Sequence, residues 1–354
     1  MINIENFFKI NNVFETKSLT HKVNFFKMIK SLTNHHKKNC QKYNKFVRLV
    51  FSLNQIKKVE DVPYLPVQVF KSNDLKSFKD EYTFKKISSS GTSGANKSKI
   101  YLDKKNAENQ VKALGKILSS KFGKTRHPML IIDRDLSKTS RKEFSASIAA
   151  VHGFSLIANK KYYLLDDNFK INYKVLDEFL MKHSSERFFI FGFTSFIYNH
   201  LIKNLNSSKY KFKNAVLIHG GGWKKLEKQK ISNTIFKNKL KDNLLIEEVV
   251  NYYGLVEQTG SIFFECKYGY FVNTIFSDVI IRDKDFKVLP SGKKGLIQLI
   301  SILPSSYPGH NIITEDIGSI MSADFKCKCG LNGKHFLVYG RAKEAEVRGC
   351  SDTK

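Results

Sequence analysis

Four short stretches of this chain carry residue types able to handle phosphates, a ribose and a carboxylate. The first reads Ser88-Ser89-Ser90-Gly91-Thr92-Ser93-Gly94-Ala95-Asn96-Lys97-Ser98-Lys99. Glycines and small hydroxyl residues let backbone amides approach phosphate oxygens, and lysines neutralise them. It is not a standard P-loop, because Asn96 stands where that motif needs glycine. Alone, such a stretch serves equally well as a flexible connector. The others are Asn251-Tyr252-Tyr253-Gly254-Leu255-Val256-Glu257, Thr314-Glu315-Asp316-Ile317-Gly318 and Tyr339-Gly340-Arg341-Ala342-Lys343. A ring stacks on a base, a carboxylate holds Mg²⁺ or ribose hydroxyls, and a guanidinium binds ligand oxygens. Each of these alone is also an ordinary charged turn.

Two further patterns compete for attention. His219-Gly220-Gly221-Gly222-Trp223 has the form of a lipase oxyanion loop, but G-x-S-x-G occurs nowhere in the chain. Serine hydrolysis therefore lacks its nucleophile motif. The five cysteines are an odd number, and Met1-Ile2-Asn3-Ile4-Glu5-Asn6 lacks the basic and apolar runs of a secretory leader. Reduced thiols in a cytoplasmic, soluble protein are the expectation. Cys327-Lys328-Cys329 with Cys266 upstream offers three thiolates to one structural Zn²⁺; buried or free thiols are the plain alternative. His335 is not ranked as a fourth ligand.

The elements that must position these residues alternate in period. Residues 1 to about 60 read as helical, and Val62-Pro63-Tyr64-Leu65-Pro66 breaks that run. Ile100–Leu102, Met129–Ile132, Phe188–Phe191 and Ala215–Ile218 read as strands, with helices near Asn106–Ser119 and from about Trp223. This alternation predicts an α/β fold with parallel strands and ligand loops at their carboxyl ends. From about Phe271 shorter strands take over, including Asp278–Arg282 and Gly295–Ile300. The expected organisation is a helical segment with an α/β core over 1–270, a β-rich subdomain over 271–340, and a short tail over 341–354.

With 354 residues, 42% hydrophobic, the chain can bury a large core. Its net charge of +28 suits ATP, acidic metabolites and acidic partner proteins. A basic nucleic-acid or anionic-surface binder is the non-enzyme alternative, yet no zinc-finger spacing or aromatic RNA-binding signature accompanies the charge.

In order and spacing, the serine-glycine loop and the Y-G-x-x-E, E-D-x-G and G-R-x-K elements resemble the motifs of the acyl-adenylate-forming superfamily. Within it the chain is most similar to the acyl-protein synthetases of bacterial bioluminescence, from about Pro63 onward. Pro128–Asp133, Phe191-Gly192-Phe193-Thr194 and Val347–Asp352 add to that likeness. The resemblance implies that Ser89, Ser90, Gly91, Thr92, Ser93 and Gly94 wrap the ATP phosphates, with Lys97 as charge partner. It places Gly220, Gly221 and Gly222 against the adenine with Tyr253 opposite. Glu257 would coordinate Mg²⁺, and Asp316 and Arg341 would hold the ribose. Cys350 falls where these synthetases carry their acyl group. Arg341, Lys343 and Arg348 precede it, and nearby cations favour a thiolate; an inert tail thiol is the plain alternative.

The implied reaction activates a carboxylic acid, of fatty type by resemblance alone, as its acyl-AMP. The acyl group then passes to a protein thiol, and on to a reductase or another acceptor protein. Most of the superfamily continues past G-R-x-K into a mobile lid domain with a catalytic lysine. Here 354 − 340 leaves 14 residues after Gly340, so that lid is expected to be largely absent and a partner subunit is one way to complete the site. The rival enzyme reading is a CoA ligase or a pathway-specific acyl-activating enzyme, as in surface-polysaccharide assembly. Phe191, Phe193 and Trp223 either line an acyl pocket or simply fill the core.

Overall fold

Apolar runs without alternation mark strands buried on both faces, and Phe188–Phe193 and Ala215–Gly220 are buried at every position. These observations come from a computed structural model that describes residues 3–51, 56–89, 97–135 and 143–342. In chain order the first strands are β1 (Leu65–Pro66), β2 (Lys85–Ser88), β3 (Lys99–Leu102), β4 (His127–Ile131), β5 (Glu143–Ser145), β6 (Ala158–Tyr163), β7 (Phe188–Phe193) and β8 (Ala215–Gly220). They are followed by β9 (Glu248–Tyr253), β10 (Phe263–Glu265), β11 (Phe271–Val272), β12 (Ser277–Arg282), β13 (Gly295–Ser301), β14 (Asn311–Ile320) and β15 (His335–Arg341).

Most of these strands share one sheet, in the order β12-β13-β14-β15-β11-β10-β9-β8-β7-β4-β6, with β1 beside β14. The segment β6-β4-β7-β8-β9 is parallel, and β10 to β15 add antiparallel pairs. Strands on either side of residue 271 thus lie in one continuous sheet. A small second sheet orders β3-β2-β5.

Successive side chains of a strand face opposite ways, and the core splits accordingly. Phe189 and Phe191 meet Ile117 and Phe122 of the helix Lys104–Phe122 and Phe154 of the helix Ala146–Phe154. Phe188 and Ile190 meet Phe179 of the helix Tyr173–His183 and Leu240 of the helix Asn233–Leu244. Helices thus cover both faces of the parallel segment. Among the described residues five helix starts are capped by side chains: Ser18, Asp103, Ser145, Asn172 and Ser232 accept from the amides of His21, Asn106, Ile148, Val175 and Ile235. Each such cap contributes about 1 kcal/mol.

The helix expected from about Trp223 begins later. Lys224–Gln229 forms a 3-10 turn, and the regular helix starts only after the Ser232 cap. At the amino end, helices Glu5–Phe8, Leu19–Asn39 and Gln41–Val50 occupy the segment expected to be helical. Among the described residues no helix is long and apolar enough to cross a membrane.

Candidate active site and metal centre

The carboxyl end of β9, beside that of β8, meets the middle of β14, which pairs there with the end of β15. Open α/β sheets bind ligands at such carboxyl ends. The base of the serine-glycine loop arrives there from the small sheet. The Ser89 amide donates to the Ser98 carbonyl and the Ser98 amide to Ser89 Oγ, both at 2.9 Å, closing the loop at its stem. Lys97 stands exposed at that stem. Ser90, Gly91, Thr92, Ser93 and Gly94 lie outside the described residues, as does Cys350.

Glu257 sits in the 3-10 turn Val256–Gln258, directly after β9, and is 4% exposed. Ser98 hydrogen-bonds to its side chain, and the charges of Lys71 and Arg341 face it. Burial pushes the Glu257 carboxyl up from the usual carboxylate range, while Ser98 and the two cations pull against that. A buried carboxylate with so little hydrogen bonding is suited to take a hard cation, which an oxygen ligand of this kind would hold.

Asp316 and Arg341 face each other as register partners on β14 and β15. Tyr253 Oη donates to Asp316 Oδ2 at 2.7 Å, and Arg341 Nε lies 4.0 Å from Asp316 Oδ1. Burial raises the Asp316 carboxyl, against the Tyr253 hydrogen bond and the Arg341 charge. Burial and the neighbouring carboxylate push the Tyr253 phenol well above its ordinary value, so it stays a donor. Glu315 completes a charged cluster: Arg341 Nη1 lies 3.3 Å from it, Lys71 Nζ lies 3.8 Å away, and Gln68 Nε2 donates to it at 2.7 Å.

The glycine run ends β8. A Cβ on Gly220 would come within 2.5 Å of the Tyr252 ring, its register partner on β9, so only glycine fits. Gly221 has φ +70° beside Phe193, the left-handed region that glycine enters freely. Gly222 follows, exposed. Tyr252 rather than Tyr253 therefore lies against the first of these glycines, and Tyr253 is committed to Asp316. His219 is fully buried, and burial lowers its imidazole to about 3, keeping it neutral. Its Nδ1 pairs with Thr194 Oγ1 at 3.0 Å. Phe191, Phe193 and Trp223 are all buried, at 0%, 1% and 8% exposure. Phe191 stacks on Phe154 at 4.6 Å within the core.

A second cluster lies behind β10 and β15. Cys266, Cys327, Cys329 and His335 bring one ligand atom each to within 4.8 Å of one another. The Cys266 and Cys327 sulfurs are 3.8 Å apart, and Cys329 Sγ is 3.3 Å from His335 Nε2. Tetrahedral bonds of about 2.3 Å to one Zn²⁺ would set thiolates at about that sulfur spacing. Two similar turns present the thiols. The amides of Gly269 (φ +87°) and Gly330 (φ +77°) return to the carbonyls of Cys266 and Cys327. His335 Nδ1 pairs with the Gly333 carbonyl at 2.9 Å, which directs Nε2 to the thiols. Burial pushes the Cys329 thiol up to about 12, and neighbouring Cys327 and Cys266 add to it. A divalent cation would relieve that crowding by deprotonating the thiols, so the residues fit the metal.

Several residues here had no role in the sequence reading. Ser98 and Glu315 stand next to Lys97 and Asp316 in their motifs. Lys71 and Gln68 had no motif at all. His335 had only its nearness to Cys329.

A family model for acyl-protein synthetases, LuxE, matches residues 12–354. The long-chain-fatty-acid–luciferin-component ligase of Vibrio harveyi is 22% identical over 95% of this chain and 87% of its own length. Among solved structures, an open conformation of 2-hydroxyisobutyryl-CoA ligase, in complex with 2-HIB-AMP and CoA, superposes with a TM-score of 0.70. It is 14% identical over 94% of this chain and 77% of that one. The same ligase in its thioesterification state also gives 0.70, over 93% and 70%. Those structures share the fold, with the main sheet and flanking layers described above. On the family match across nearly its whole length, the chain belongs to the acyl-protein synthetase (LuxE) family.

Proposed function

We propose that this site activates a carboxylic acid with ATP and hands the acyl group to a protein thiol. As a family member the chain is an acyl-adenylate-forming ligase. The observation that carries the reading of the site is the convergence of Ser98, Glu257, Asp316 and Arg341 at the carboxyl ends of the sheet.

The carboxylate oxygen attacks the α-phosphorus of ATP, the bond to the bridging oxygen breaks, and pyrophosphate leaves. Glu257 would hold Mg²⁺, which when bound neutralises phosphate charge. Asp316, fixed by Tyr253, would accept hydrogen bonds from the ribose hydroxyls, and Arg341 would orient the same sugar. Gly220 and Gly221 would let the adenine lie flat against the backbone. The loop of Ser89 to Gly94 would wrap the phosphates, with Lys97 at its stem. Catalysis here is positioning and charge neutralisation, with no covalent intermediate on the core. The thiolate of Cys350 then attacks the acyl carbon, the bond to AMP breaks, and a thioester forms as AMP leaves. A further acceptor protein would take the acyl group from that cysteine.

Zn²⁺ in the Cys266, Cys327, Cys329 and His335 cluster would be structural, because all four positions are protein ligands and none is left for substrate. We place the reaction in the cytoplasm, where these thiols stay reduced.

The test is carboxylate-dependent exchange of labelled pyrophosphate into ATP, across fatty and short polar acids. Exchange with one acid class supports the reading and names the substrate. Binding of ATP without exchange for any acid would move the substrate outside the panel, and failure to bind ATP would end the proposal. In a Cys350→Ser variant exchange should persist, while acid-stable labelling of the protein by radioactive acid should vanish.

A further inference from the structure

β7 and β8 run side by side to their carboxyl ends, where Phe193 and Gly220 are the last register pair. There the chain leaves β7 for the helical turn Thr194–Phe196, and Thr194 Oγ1 donates to the Gly220 carbonyl at 3.1 Å. A hydroxyl carries one proton, so Thr194 Oγ1 accepts in its second contact, at 3.0 Å from His219 Nδ1. His219 is therefore the Nδ1–H tautomer. A directed chain runs from His219 Nδ1–H through the Thr194 hydroxyl to the Gly220 oxygen. Among the described residues His219 Nε2 has no hydrogen-bond partner, so the ring's hydrogen bonding goes wholly through that chain. Phe236 packs on the same ring at 4.7 Å and holds its plane.

Both side chains of this chain are buried, and packing alone does not call for them. The rest of β7 and β8 is apolar or glycine, and an apolar pair at 194 and 219 would leave no polar atom to satisfy. The polar pair stands instead where both runs end, on the carbonyl that opens the glycine turn. Three glycines in succession have the widest backbone freedom a chain can have, so the turn keeps its shape only as far as its neighbours hold it. The peptide unit is planar, and a fixed Gly220 oxygen fixes the whole Gly220–Gly221 plane. Tyr252 and Phe193 close on the same turn from the side, at 2.5 Å and 3.2 Å from where a Cβ on Gly220 and on Gly221 would stand.

We infer that Thr194 and His219 are positioning residues for the nucleotide, acting through the Gly220–Gly221 peptide on the surface where the adenine is proposed to lie. The inference rests on that reading of the glycine run. Neither side chain touches the ligand. Each removes a backbone rotation that binding would otherwise have to freeze, so their loss weakens ATP binding and leaves the chemical step alone.

Thr194→Val keeps the side-chain shape and deletes the hydroxyl, while Thr194→Ser restores the hydroxyl. By calorimetry the Kd of Thr194→Val for ATP should rise about tenfold or more, and Thr194→Ser should recover most of the loss. In acid-dependent pyrophosphate exchange the half-saturating ATP concentration should follow the Kd, with maximal exchange within about twofold of wild type. His219→Leu should weaken ATP binding in the same direction, and the double variant should lose little more than either single one, because the two act as one chain. In wild-type protein with ring-¹⁵N histidine, His219 should carry its proton on Nδ1, a readout that needs no variant to fold. An unchanged Kd in Thr194→Val, a loss of maximal exchange or of melting temperature that serine does not rescue, additive losses, or a proton on Nε2 would each overturn the relay alone. Wild-type protein that binds no ATP would instead end the reading of the site, and the inference with it.

Discussion

Tyr253 Oη donates to Asp316 Oδ2 at 2.7 Å, joining the end of β9 to the middle of β14 before any nucleotide arrives. The carboxylate proposed to bind ribose is therefore preorganised, and its orientation costs nothing at the moment of binding. Removing the hydroxyl in Tyr253→Phe deletes one hydrogen bond to a carboxylate, worth about 1.5–3 kcal/mol. The half-saturating ATP concentration in pyrophosphate exchange should rise about tenfold or more, with maximal exchange little changed. A fall in maximal exchange at unchanged ATP dependence would count against a ribose-positioning role.

Glu257 trades stability for chemistry. Burial raises its folded-state value above the ordinary 4.5, so the folded protein binds a proton more readily than the unfolded chain. Stability from this group is therefore lost as pH rises through the ordinary value toward the raised one. Glu257→Gln removes that loss. Its melting temperature should match wild type near pH 4 and exceed it near pH 7 without Mg²⁺, while exchange drops at least about a hundredfold. Melting curves equal at both pH values would contradict a buried, weakly paired carboxylate.

Gly220 probes how tightly the strand ends are packed. In Gly220→Ala the new methyl meets the Tyr252 ring at 2.5 Å, and that ring is already wedged against Phe154 at 4.6 Å. Overpacking of this kind costs about 1–3 kcal/mol. Thermal unfolding should show the loss, and the displaced Tyr252 should weaken ATP binding as well. Substitution at Gly115, where a Cβ meets nothing closer than 3.9 Å and the backbone is not left-handed, serves as control for an added methyl without overpacking.

The parallel core was legible because β7 and β8 are unbroken apolar runs, a pattern with few other outcomes. The start of the helix after Trp223 was not, since a 3-10 turn and a helix share the same polar texture until Ser232 caps the latter. At the site, motif spacing pointed to Glu257, Asp316 and Arg341, which the fold does bring near one another. It gave no view of Lys71, whose approach to Glu315 depends on β1 pairing beside β14 and the helix Val69–Ser72 that follows it. Nor could it choose between adjacent tyrosines. Alternation along β9 sends Tyr252 toward Gly220 and Tyr253 toward Asp316, and only pairing register decides which ring goes where.

The cysteine cluster leads to a metal stoichiometry. Purified protein should carry one zinc per chain by elemental analysis, and cobalt substitution should give the absorption of a tetrahedral thiolate site. Chelation should lower the melting temperature, and Cys327→Ser should prevent metal uptake. His335→Ala leaves three thiolates and should bind at least about tenfold more weakly. Protein that folds identically with no metal, in reducing buffer, would show the four residues to be packing alone.

Two stacked imidazoles set the acid limit of the fold. His36 and His310 lie 4.9 Å apart at 28°, both fully buried. Thr33 Oγ1 donates to the Ile29 carbonyl, so it accepts from His310 Nε2–H at 3.0 Å, and His310 Nδ1 is the bare nitrogen. A proton there would be a buried charge with no acceptor. Burial accordingly lowers His310 to about 3 and holds His36 well below its ordinary 6.5, with the charge of His35 adding to both penalties and that of His310 to the one on His36. The unfolded chain takes up these protons below about pH 6.5 while the folded protein refuses them. Stability contributed by the neutral pair is present above that pH and is lost as pH falls toward 3. His310→Gln keeps a donor for Thr33 and removes one titration. Urea unfolding of the variant should lose stability less steeply between about pH 6 and 4, by up to about 1.4 kcal/mol per pH unit. An unchanged slope would mean that His310 is already charged in the folded protein, and the bare Nδ1 would need another account.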